Sequence, residues 1–183
     1  KRAREKVLLS ESRSSNLFHF EEIDLLNKES LMLLFKKYKP DIICHLAAQA
    51  GVRYSLENPK SYIDNNLTAT SNLLQLSTEF GIKDFIFSST SSVYGLSKNI
   101  PFSENENIDS TISPYSATKR ACELLCHTYN HIHGIRFRIL RFFTVYGPWG
   151  RPDMALFKFT KGILNGEPIP VFNRGEMVRD FTF

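Results

Sequence analysis

Short apolar runs alternate with longer stretches of mixed apolar and polar residues along this chain. Three of the runs have the length and the β-branched or aromatic content of a buried strand, and a fourth run is shorter. We therefore predict strands at residues 41–46, 84–89, 137–143 and 169–172.

The longer stretches carry apolar residues at helical spacing. Residues 59–80 and 154–164 each have an apolar face, and residues 114–133 follow Ser113 and Pro114, which suit a helix N-cap and first turn. Each predicted helix ends at or near a glycine, and these glycines are Gly81, Gly134 and Gly166.

Strands that alternate with helices of this length predict βαβ crossovers and a mainly parallel sheet. Right-handed crossovers place helices on both faces of such a sheet. The pattern therefore predicts an α/β fold, a doubly wound parallel sheet of the Rossmann-like kind. Ligands of these sheets bind at the carboxyl ends of the strands, so the residues that follow each strand are the candidates for chemistry.

Composition and charge are those of an ordinary globular protein. The 183 residues include 23 Lys or Arg and 19 Asp or Glu, which gives a net charge of +4, and 42% are hydrophobic. No run approaches the ~18 consecutive apolar residues that a membrane span needs. The charged first six residues lack the apolar core of a signal peptide. The cluster Lys36, Lys37 and Lys39 indicates a solvated helix end, so we expect neither a membrane nor a nucleic-acid partner.

Three cysteines, an odd number, cannot all pair within the chain. Cys122 and Cys126 are four residues apart in a predicted helix and share one of its faces. Neither they nor Cys44 have the Cys/His spacing of a zinc site, so we predict no metal. We expect all three to be small buried residues in a reducing cytosol, which indicates a cytoplasmic protein.

Two predicted strands are followed by unusual turns. Ala47-Ala48-Gln49-Ala50-Gly51 follows the first strand, and its small side chains let a ligand approach the backbone. Ser88 to Ser92 are five consecutive hydroxyl residues at the end of the second strand, which supply uncharged donors and acceptors. Taken alone, the first turn is explained by tight packing and the second by ordinary loop composition.

The predicted helix 114–133 begins with Tyr115-Ser116-Ala117-Thr118-Lys119. Residues four apart lie on one helix face, so the Tyr115 phenol and the Lys119 ammonium are neighbours in this prediction. An unperturbed tyrosine has a pKa of about 10, and a nearby ammonium favours the phenolate and lowers that pKa. The pair is therefore a candidate general acid and base. Such a spacing by itself also occurs in surface pairs.

The three features occur together and in order, and in this they resemble the extended short-chain dehydrogenase/reductase family. The matching motifs are His45-Leu46-Ala47-Ala48, Ser88-Ser89-Thr90 and Tyr115-x-x-x-Lys119. Members of this family are mostly nucleotide-sugar epimerases and dehydratases with a bound NAD. The resemblance covers nearly the whole chain, from about Phe18 to Phe183.

The resemblance implies a role for particular residues. Tyr115 is the implied acid and base, Lys119 tunes it and holds the nicotinamide ribose, and Thr90 hydrogen-bonds the reacting hydroxyl. The implied NAD-binding residues are Asp24, Leu25, Leu46, Ala47, Ala48, Asn65, Tyr115, Lys119 and Phe143. His45 precedes the first turn and is interpreted as packed rather than catalytic. A homodimer through residues 59–80 and 114–133 is also implied.

The residues beside Thr90 narrow the reaction. Related 4,6-dehydratases and decarboxylases place acidic residues there, whereas this chain has Ser91 and Ser92, which leaves a 4-epimerase. The strings at residues 49–55 and 141–155 resemble UDP-glucuronate 4-epimerases. The implied substrate-binding residues are Arg53, Ser91, Ser92, Thr144, Arg151 and Arg179. A 4-epimerase of a neutral or N-acetylated UDP-sugar, and a catalytically silent member used for binding, are the alternatives.

One family feature is missing from the sequence. None of the nine glycines forms the Gly-x-x-Gly-x-x-Gly turn that receives the pyrophosphate, and the first of them is Gly51. We therefore expect a chain truncated at both ends that binds NAD poorly by itself. Residues 1–150 are predicted to form a partial dinucleotide-binding domain without its glycine-rich first βα unit. Residues 151–183 are predicted to begin a small substrate-binding domain.

Overall fold

The computed structural model describes residues 6–8, 10, 18–171, 173–176 and 178–183. Three parallel strands form its main sheet in the order β1 (Ile42–His45), β2 (Asp84–Thr90) and β3 (Arg136–Phe142). The register places Phe87 of β2 opposite both His45 and Ile139. The predicted α/β fold with a parallel sheet is confirmed.

The fourth predicted strand, at residues 169–172, is wrong for residues 169–171, which are not in a strand. Phe172 lies outside the described residues. Pro168 and Pro170 flank Ile169, and a proline has no backbone N–H to donate to a strand ladder. The apolar run was therefore a poor indicator at this point of the chain.

Six α-helices lie between residues 28 and 164. They are α1 (Lys28–Tyr38), α2 (Val52–Glu57), α3 (Pro59–Tyr62), α4 (Ala69–Glu79), α5 (Pro114–His133) and α6 (Ala155–Leu164). Helix α5 has both of its predicted ends: Ser113 and Ser116 form a capping box, and Gly134 adopts a left-handed φ of 65° after the last turn. The predicted helix 59–80 is instead divided, because a π-helix (Ile63–Thr68) separates α3 from α4. The helix end predicted at Lys36, Lys37 and Lys39 is confirmed as the end of α1, whereas the start of α1 and the whole of α2 were not predicted.

The main core lies between one face of the sheet and helices α4 and α5. Leu74 and Leu76 of α4, Phe85 of β2, and Cys122 and Cys126 of α5 are fully buried there. Burial of this apolar surface is the main force that holds the sheet and the helices together.

Cys44 lies on the opposite face of the sheet, where it is exposed, as are Ile42 and Leu140. The expectation that all three cysteines are buried is therefore wrong for Cys44. Successive residues of a strand point to opposite faces, so Ile43 and His45 pack toward the helices while Cys44 faces away from them. The buried positions of Cys122 and Cys126 were predicted and are confirmed.

A second, two-stranded parallel sheet joins β4 (Thr144–Val145) to β5 (Phe181–Thr182). Two 3₁₀ turns, Ser91–Tyr94 and Asn173–Gly175, complete the described elements. In this small sheet, β4 precedes position 150 in the sequence and β5 follows it. The predicted domain boundary at residue 150 therefore falls between two strands of the same sheet. The division at residue 150 stays a prediction. No helix of the described residues is long and apolar enough to cross a bilayer.

Candidate active site

The carboxyl ends of β2 and β3 and the first turn of α5 meet at one cavity of about 830 Å³. This convergence follows from the parallel sheet, because successive parallel strands end at the same edge. The predicted site residues that line the cavity are Arg53, Thr90, Ser91, Ser92, Tyr115, Phe143, Thr144 and Arg151. Residues far apart in the sequence are thus brought together as the strand-end argument predicted.

Thr90 is the last residue of β2 and the N-cap of the 3₁₀ turn that follows. Its Oγ1 accepts a hydrogen bond from the Ser92 backbone N–H at 3.2 Å and donates one to Ser92 Oγ at 3.3 Å. The side chain is largely buried, with 8% of its surface exposed. These bonds hold the Thr90 hydroxyl in one orientation at the cavity wall.

Tyr115 lies one residue inside α5, where its ring packs edge to face on the ring of Tyr62 with 6.0 Å between centroids. The Tyr62 hydroxyl lies 3.1 Å from the Ala50 carbonyl oxygen and 2.6 Å from that of Gly51, to which it donates. Burial raises the pKa of Tyr62, so this phenol stays neutral. Tyr62 therefore supports both the Tyr115 ring and the small-residue turn.

Lys119 lies one turn further along α5 and is buried. Its Nζ lies 4.4 Å from the centroid of the Phe87 ring in β2. Burial lowers the pKa of the Lys119 ammonium. The nearby Cys122 and Cys126 raise this pKa, but they offset the effect of burial only in part. Lys119 does not line the 830 Å³ cavity. Its predicted effect on the Tyr115 phenol therefore stays a prediction.

A second cavity, of about 510 Å³, adjoins the turn after β1. The predicted NAD residues that line it are Asp24, Leu25, Ala47, Ala48 and Asn65. Asp24 Oδ1 accepts a hydrogen bond from the Leu26 backbone N–H at 2.9 Å, which orients the carboxylate. Leu46, a further predicted NAD residue, does not line this cavity and is 63% exposed. Gln49 lines both cavities, so the small-residue turn is their common wall.

Asn66 supports this turn, although no motif in the sequence indicated it. Its Oδ1 accepts from the Gln49 backbone N–H at 2.8 Å, while its Nδ2 donates to the Gln49 carbonyl and to Thr118 Oγ1, both at 3.1 Å. Asn66 is buried within the π-helix and so ties the wall between the cavities to the helix of Tyr115. The adjacent Asn65 was predicted, but the extra residue of a π-turn leaves no mark in an apolar pattern.

Besides Arg53, the charged residues that line the 830 Å³ cavity are Arg151, Asp153 and Lys158. Arg151 donates to Asp153 Oδ1 from Nε at 3.0 Å and forms a second bond to the same carboxylate, which holds the pKa of Asp153 below its usual value. Lys158 of α6 lines the same cavity. The predicted substrate residue Arg179 lies apart, in a cavity of about 700 Å³ that also includes Thr144 and Arg151, and it donates to the Val178 carbonyl.

Two further expectations concern histidine and metals. His45 is buried, its Nε2 lies 3.0 Å from Thr70 Oγ1, and it packs against Phe87, so its interpretation as a packed residue is confirmed. Burial lowers its pKa to about 4, and the Lys119 charge adds to this effect. Among the described residues, no group of three or more His, Cys, Asp or Glu side chains could hold a metal ion.

This chain is similar to known proteins over nearly its whole length. Residues 1–183 match the family described as NAD dependent epimerase/dehydratase family. Protein CapI of Staphylococcus aureus is 50% identical over 181 residues, covering 97% of this chain and 54% of that protein. A UDP-glucuronate 4-epimerase of Thermodesulfobacterium geofontis is 47% identical over 175 residues, covering 96% of this chain and 54% of that protein.

Among solved structures, the chain is similar to a UDP-glucuronic acid 4-epimerase from Bacillus cereus in complex with UDP-glucuronic acid and NAD. The TM-score is 0.88 at 39% sequence identity, and the match covers 98% of this chain and 55% of that one. The chain thus spans about half the length of the curated relatives it matches.

Proposed function

Because the chain belongs to the NAD-dependent epimerase/dehydratase family, we propose that it carries the catalytic residues of an NAD-dependent UDP-sugar 4-epimerase. We propose UDP-glucuronate as the substrate and UDP-galacturonate as the product. The observation that carries the proposal is the shared cavity, in which Thr90, Tyr115 and Thr144 meet the neutral hydroxyls of Ser91 and Ser92.

The second cavity fits part of an NAD molecule. Ala47 and Ala48 present little side chain, which lets an extended ligand lie against the backbone after β1. Asp24 and Leu25 lie together at the other wall, as residues that flank an adenine would. Asn65 adds a polar side chain, whose Nδ2 donates to the Ser61 carbonyl at 2.8 Å. The glycine-rich turn that would hold the pyrophosphate is not among the 183 residues.

The proton chemistry is assigned to Tyr115 and Thr90. The residues around Ala47, Ala48 and Asn65 would hold NAD, which would supply the hydride acceptor and donor for C4 of the sugar. The Tyr115 phenolate oxygen accepts the proton of the sugar 4-hydroxyl, while Thr90 holds that hydroxyl by a hydrogen bond. The 4-keto sugar turns its other face to the cavity, and Tyr115 gives the proton back to the new hydroxyl. No proton donor beyond Tyr115 is needed.

The walls of the cavity suit a uronate. A carboxylate that leaves water needs hydrogen-bond donors, which Ser91, Ser92 and Thr144 supply without charge and Arg151 supplies with it. A 4-keto uronate is a β-keto acid that loses carbon dioxide readily once a proton donor assists. Hydroxyls at positions 91 and 92, where an acidic residue would assist, therefore favour epimerisation over decarboxylation.

A 4-epimerase of a neutral or N-acetylated UDP-sugar is the second candidate. One observation favours it: Arg151 is already paired with Asp153, which offsets the positive charge offered to a carboxylate. If the substrate is a uronate, its carboxylate displaces Asp153 from the guanidinium. The two candidates thus differ in what Asp153 does, so Asp153→Asn should strengthen binding of UDP-glucuronate and leave a neutral UDP-sugar unaffected.

The deciding experiment uses the full-length native protein loaded with NAD. UDP-glucuronate, UDP-glucose and UDP-N-acetylglucosamine are incubated separately, and NMR identifies the C4 epimer and any carbon dioxide released. We expect UDP-galacturonate from UDP-glucuronate, slow or no turnover of the others, and no activity in Tyr115→Phe. Turnover of a neutral sugar alone would support the second candidate. No turnover of any UDP-sugar would refute an epimerase and support a binding role.

We also propose a homodimer built from α4, α5 and the π-helix. Ile63, Leu124 and Ile132 of these elements are at least half exposed, and such residues suit a helical interface. Light scattering coupled to size exclusion should give twice the subunit mass, and Leu124→Glu should shift it toward the monomer. A monomeric wild-type protein would contradict this proposal.

A further inference from the structure

A fully buried carboxylate lies beneath the proposed active site. Glu123 is two turns after Tyr115 on α5 and has no exposed surface. Arg141 of β3 grips it with two parallel bonds, Nε to Oε1 at 3.1 Å and Nη2 to Oε2 at 3.0 Å. Arg120 Nη1 donates to Oε2 at 3.1 Å, and Ser89 of β2 donates its hydroxyl proton to Oε1.

These bonds decide the charge of the group. Burial raises the pKa of the Glu123 carboxyl, but the hydrogen bonds from Arg141 and Ser89 outweigh it and leave that pKa below its usual value. The carboxylate is therefore ionised at neutral pH. A buried ion pair often adds no more stability than a well-packed apolar pair of the same volume, whereas it does fix geometry. The buried cluster around Glu123 is therefore better explained by the residue positions that it fixes than by the stability that it adds.

The first connection from Glu123 to the cavity runs through β2. Ser89 and Thr90 are consecutive, and neighbouring residues of a strand point to opposite faces. Because Ser89 is held toward α5 by Glu123, the next side chain, Thr90, is held toward the cavity. The position of the Thr90 hydroxyl thus depends on the bond between Ser89 and Glu123.

The second connection runs through Arg141. Its Nη1 donates to the Tyr94 hydroxyl at 3.3 Å, and its guanidinium carbon lies 5.2 Å from the centroid of the Tyr94 ring. Tyr94 stacks on Phe102 with 4.6 Å between centroids and on Phe143 with 6.4 Å. Phe143 lines the cavity beside Thr144. The same ion pair therefore supports an aromatic wall on the other side of the site.

We propose that Glu123 and Arg141 are positioning residues for the epimerisation: their buried ion pair fixes Thr90 through Ser89 and Phe143 through Tyr94. The proposal rests on the proposed function for the role of Thr90 in the reaction. The ion pair joins α5 to β3, and the bond from Ser89 adds β2; these three elements carry Tyr115, the strand end before Phe143, and Thr90. It therefore sets the distance between the phenol and the hydroxyl that face the sugar.

The first test does not depend on turnover. The Ser92 backbone N–H donates to Thr90 Oγ1, so hydrogen exchange of this amide reports the position of that hydroxyl. Ser89→Ala leaves the ion pair in place and removes its bond to β2. We expect the Ser92 amide to exchange about tenfold faster in this variant of the full-length protein.

A matched control lies at the other end of the same two strands. Asp84 pairs with Arg136, also across β2 and β3, but away from the cavity. Asp84→Asn should leave the Ser92 amide unchanged. Equal exchange of this amide in wild type, Ser89→Ala and Asp84→Asn would overturn the proposal, whatever the enzyme turns over.

The second test asks whether the effect reaches the reaction. We expect Ser89→Ala to lower kcat about tenfold with KM changed less than about twofold, because small misplacements of a reacting group act on the chemical step. In a double-mutant cycle with Thr90→Val, the two losses should not add, whereas those of Asp84→Asn and Thr90→Val should. Additive losses, or a normal kcat in Ser89→Ala, would overturn the positioning role. An inactive wild type would refute the proposed function instead, and the exchange test would then decide the inference.

Discussion

Replacing Arg141 by methionine should destabilise the protein strongly, because it leaves a carboxylate buried without its main partner. The change removes both bonds from Arg141 to Glu123 and the bond to the Tyr94 hydroxyl, and a methionine keeps most of the volume. Arg120 and Ser89 still reach the carboxylate. Breaking a buried pair from one side costs about 3–5 kcal/mol. For a domain of about 150–250 residues that corresponds to a fall in Tm of roughly 6–20 °C, and the fall is smaller for a longer chain.

The direction in which this loss of Tm changes with pH shows whether an unpaired carboxylate causes it. In the wild type the pKa of Glu123 is lowered in the folded state, so its contribution is present above the unfolded pKa and is lost as pH falls through the folded one. In Arg141→Met, burial is no longer outweighed and should raise that pKa. Protonation then relieves the buried charge, so the difference in Tm between variant and wild type should shrink from about pH 7 to about pH 5.

Differential scanning calorimetry of the full-length protein at both pH values measures these differences. Glu123→Gln/Arg141→Met is the matched control, because it removes the charge as well as its partner and should show a difference in Tm that does not depend on pH. Asp84→Asn should leave Tm nearly unchanged, since its partner Arg136 is largely exposed. A difference that stays constant or grows on acidification would refute the reasoning that an uncompensated carboxylate causes the loss.

Three further predictions concern the residues around the site. Tyr62→Phe keeps the ring beside Tyr115 but removes the bonds to the turn carbonyls, so kcat should fall about tenfold. An unchanged kcat would show that the ring suffices. The folded pKa of His45, about 4, lies below its unfolded value, so stability should fall as pH drops from about 6.5 to 4, and His45→Asn should flatten this dependence in thermal unfolding. In Gly95→Ala the new Cβ would overlap the Ser110 carbonyl oxygen, at a φ of 56°, so thermal unfolding of the variant should occur roughly 5 °C or more below the wild-type Tm. A Gly95→Ala variant with the wild-type Tm would show that the segment carrying Ser110 moves without cost.

The sequence predicted best where local chemistry and tertiary packing agree. Helix α5 has its predicted ends because Ser113, Pro114 and Gly134 each act within one turn of the chain. The break at Ile63–Thr68 was missed because a π-turn changes the hydrogen-bond partner of the backbone and not the spacing of apolar side chains. The run at 169–172 failed as a strand because apolar periodicity ignores the missing N–H groups of prolines.

The candidate site likewise contains residues that the sequence indicated and residues that it did not. The strand-end argument indicated the hydroxyl turn that contains Thr90, because a parallel sheet gathers such positions at one edge, and helical spacing indicated Tyr115. Thr144 was indicated only by the family resemblance. Glu123 was not found, because a glutamate in an amphipathic helix is usually exposed and its partner Arg141 lies in a different element. A bond between distant residues leaves no periodic signal in one sequence.

One group that faces the cavity and two groups that hold its walls lie on the same helix, α5. This arrangement affects how the site responds when that helix moves. Tyr115, Thr118 and Glu123 all lie on α5, and they contact the 830 Å³ cavity, Asn66 and Arg141 respectively. A shift of α5 would therefore displace the phenol together with the supports of both cavity walls. Asn66 holds the wall shared by the two cavities, and Glu123 holds Thr90 through Ser89. A shift of α5 would therefore move this wall and Thr90 together with the Tyr115 phenol. The distance between the Tyr115 phenol and the Thr90 hydroxyl would then change less than the position of the helix itself.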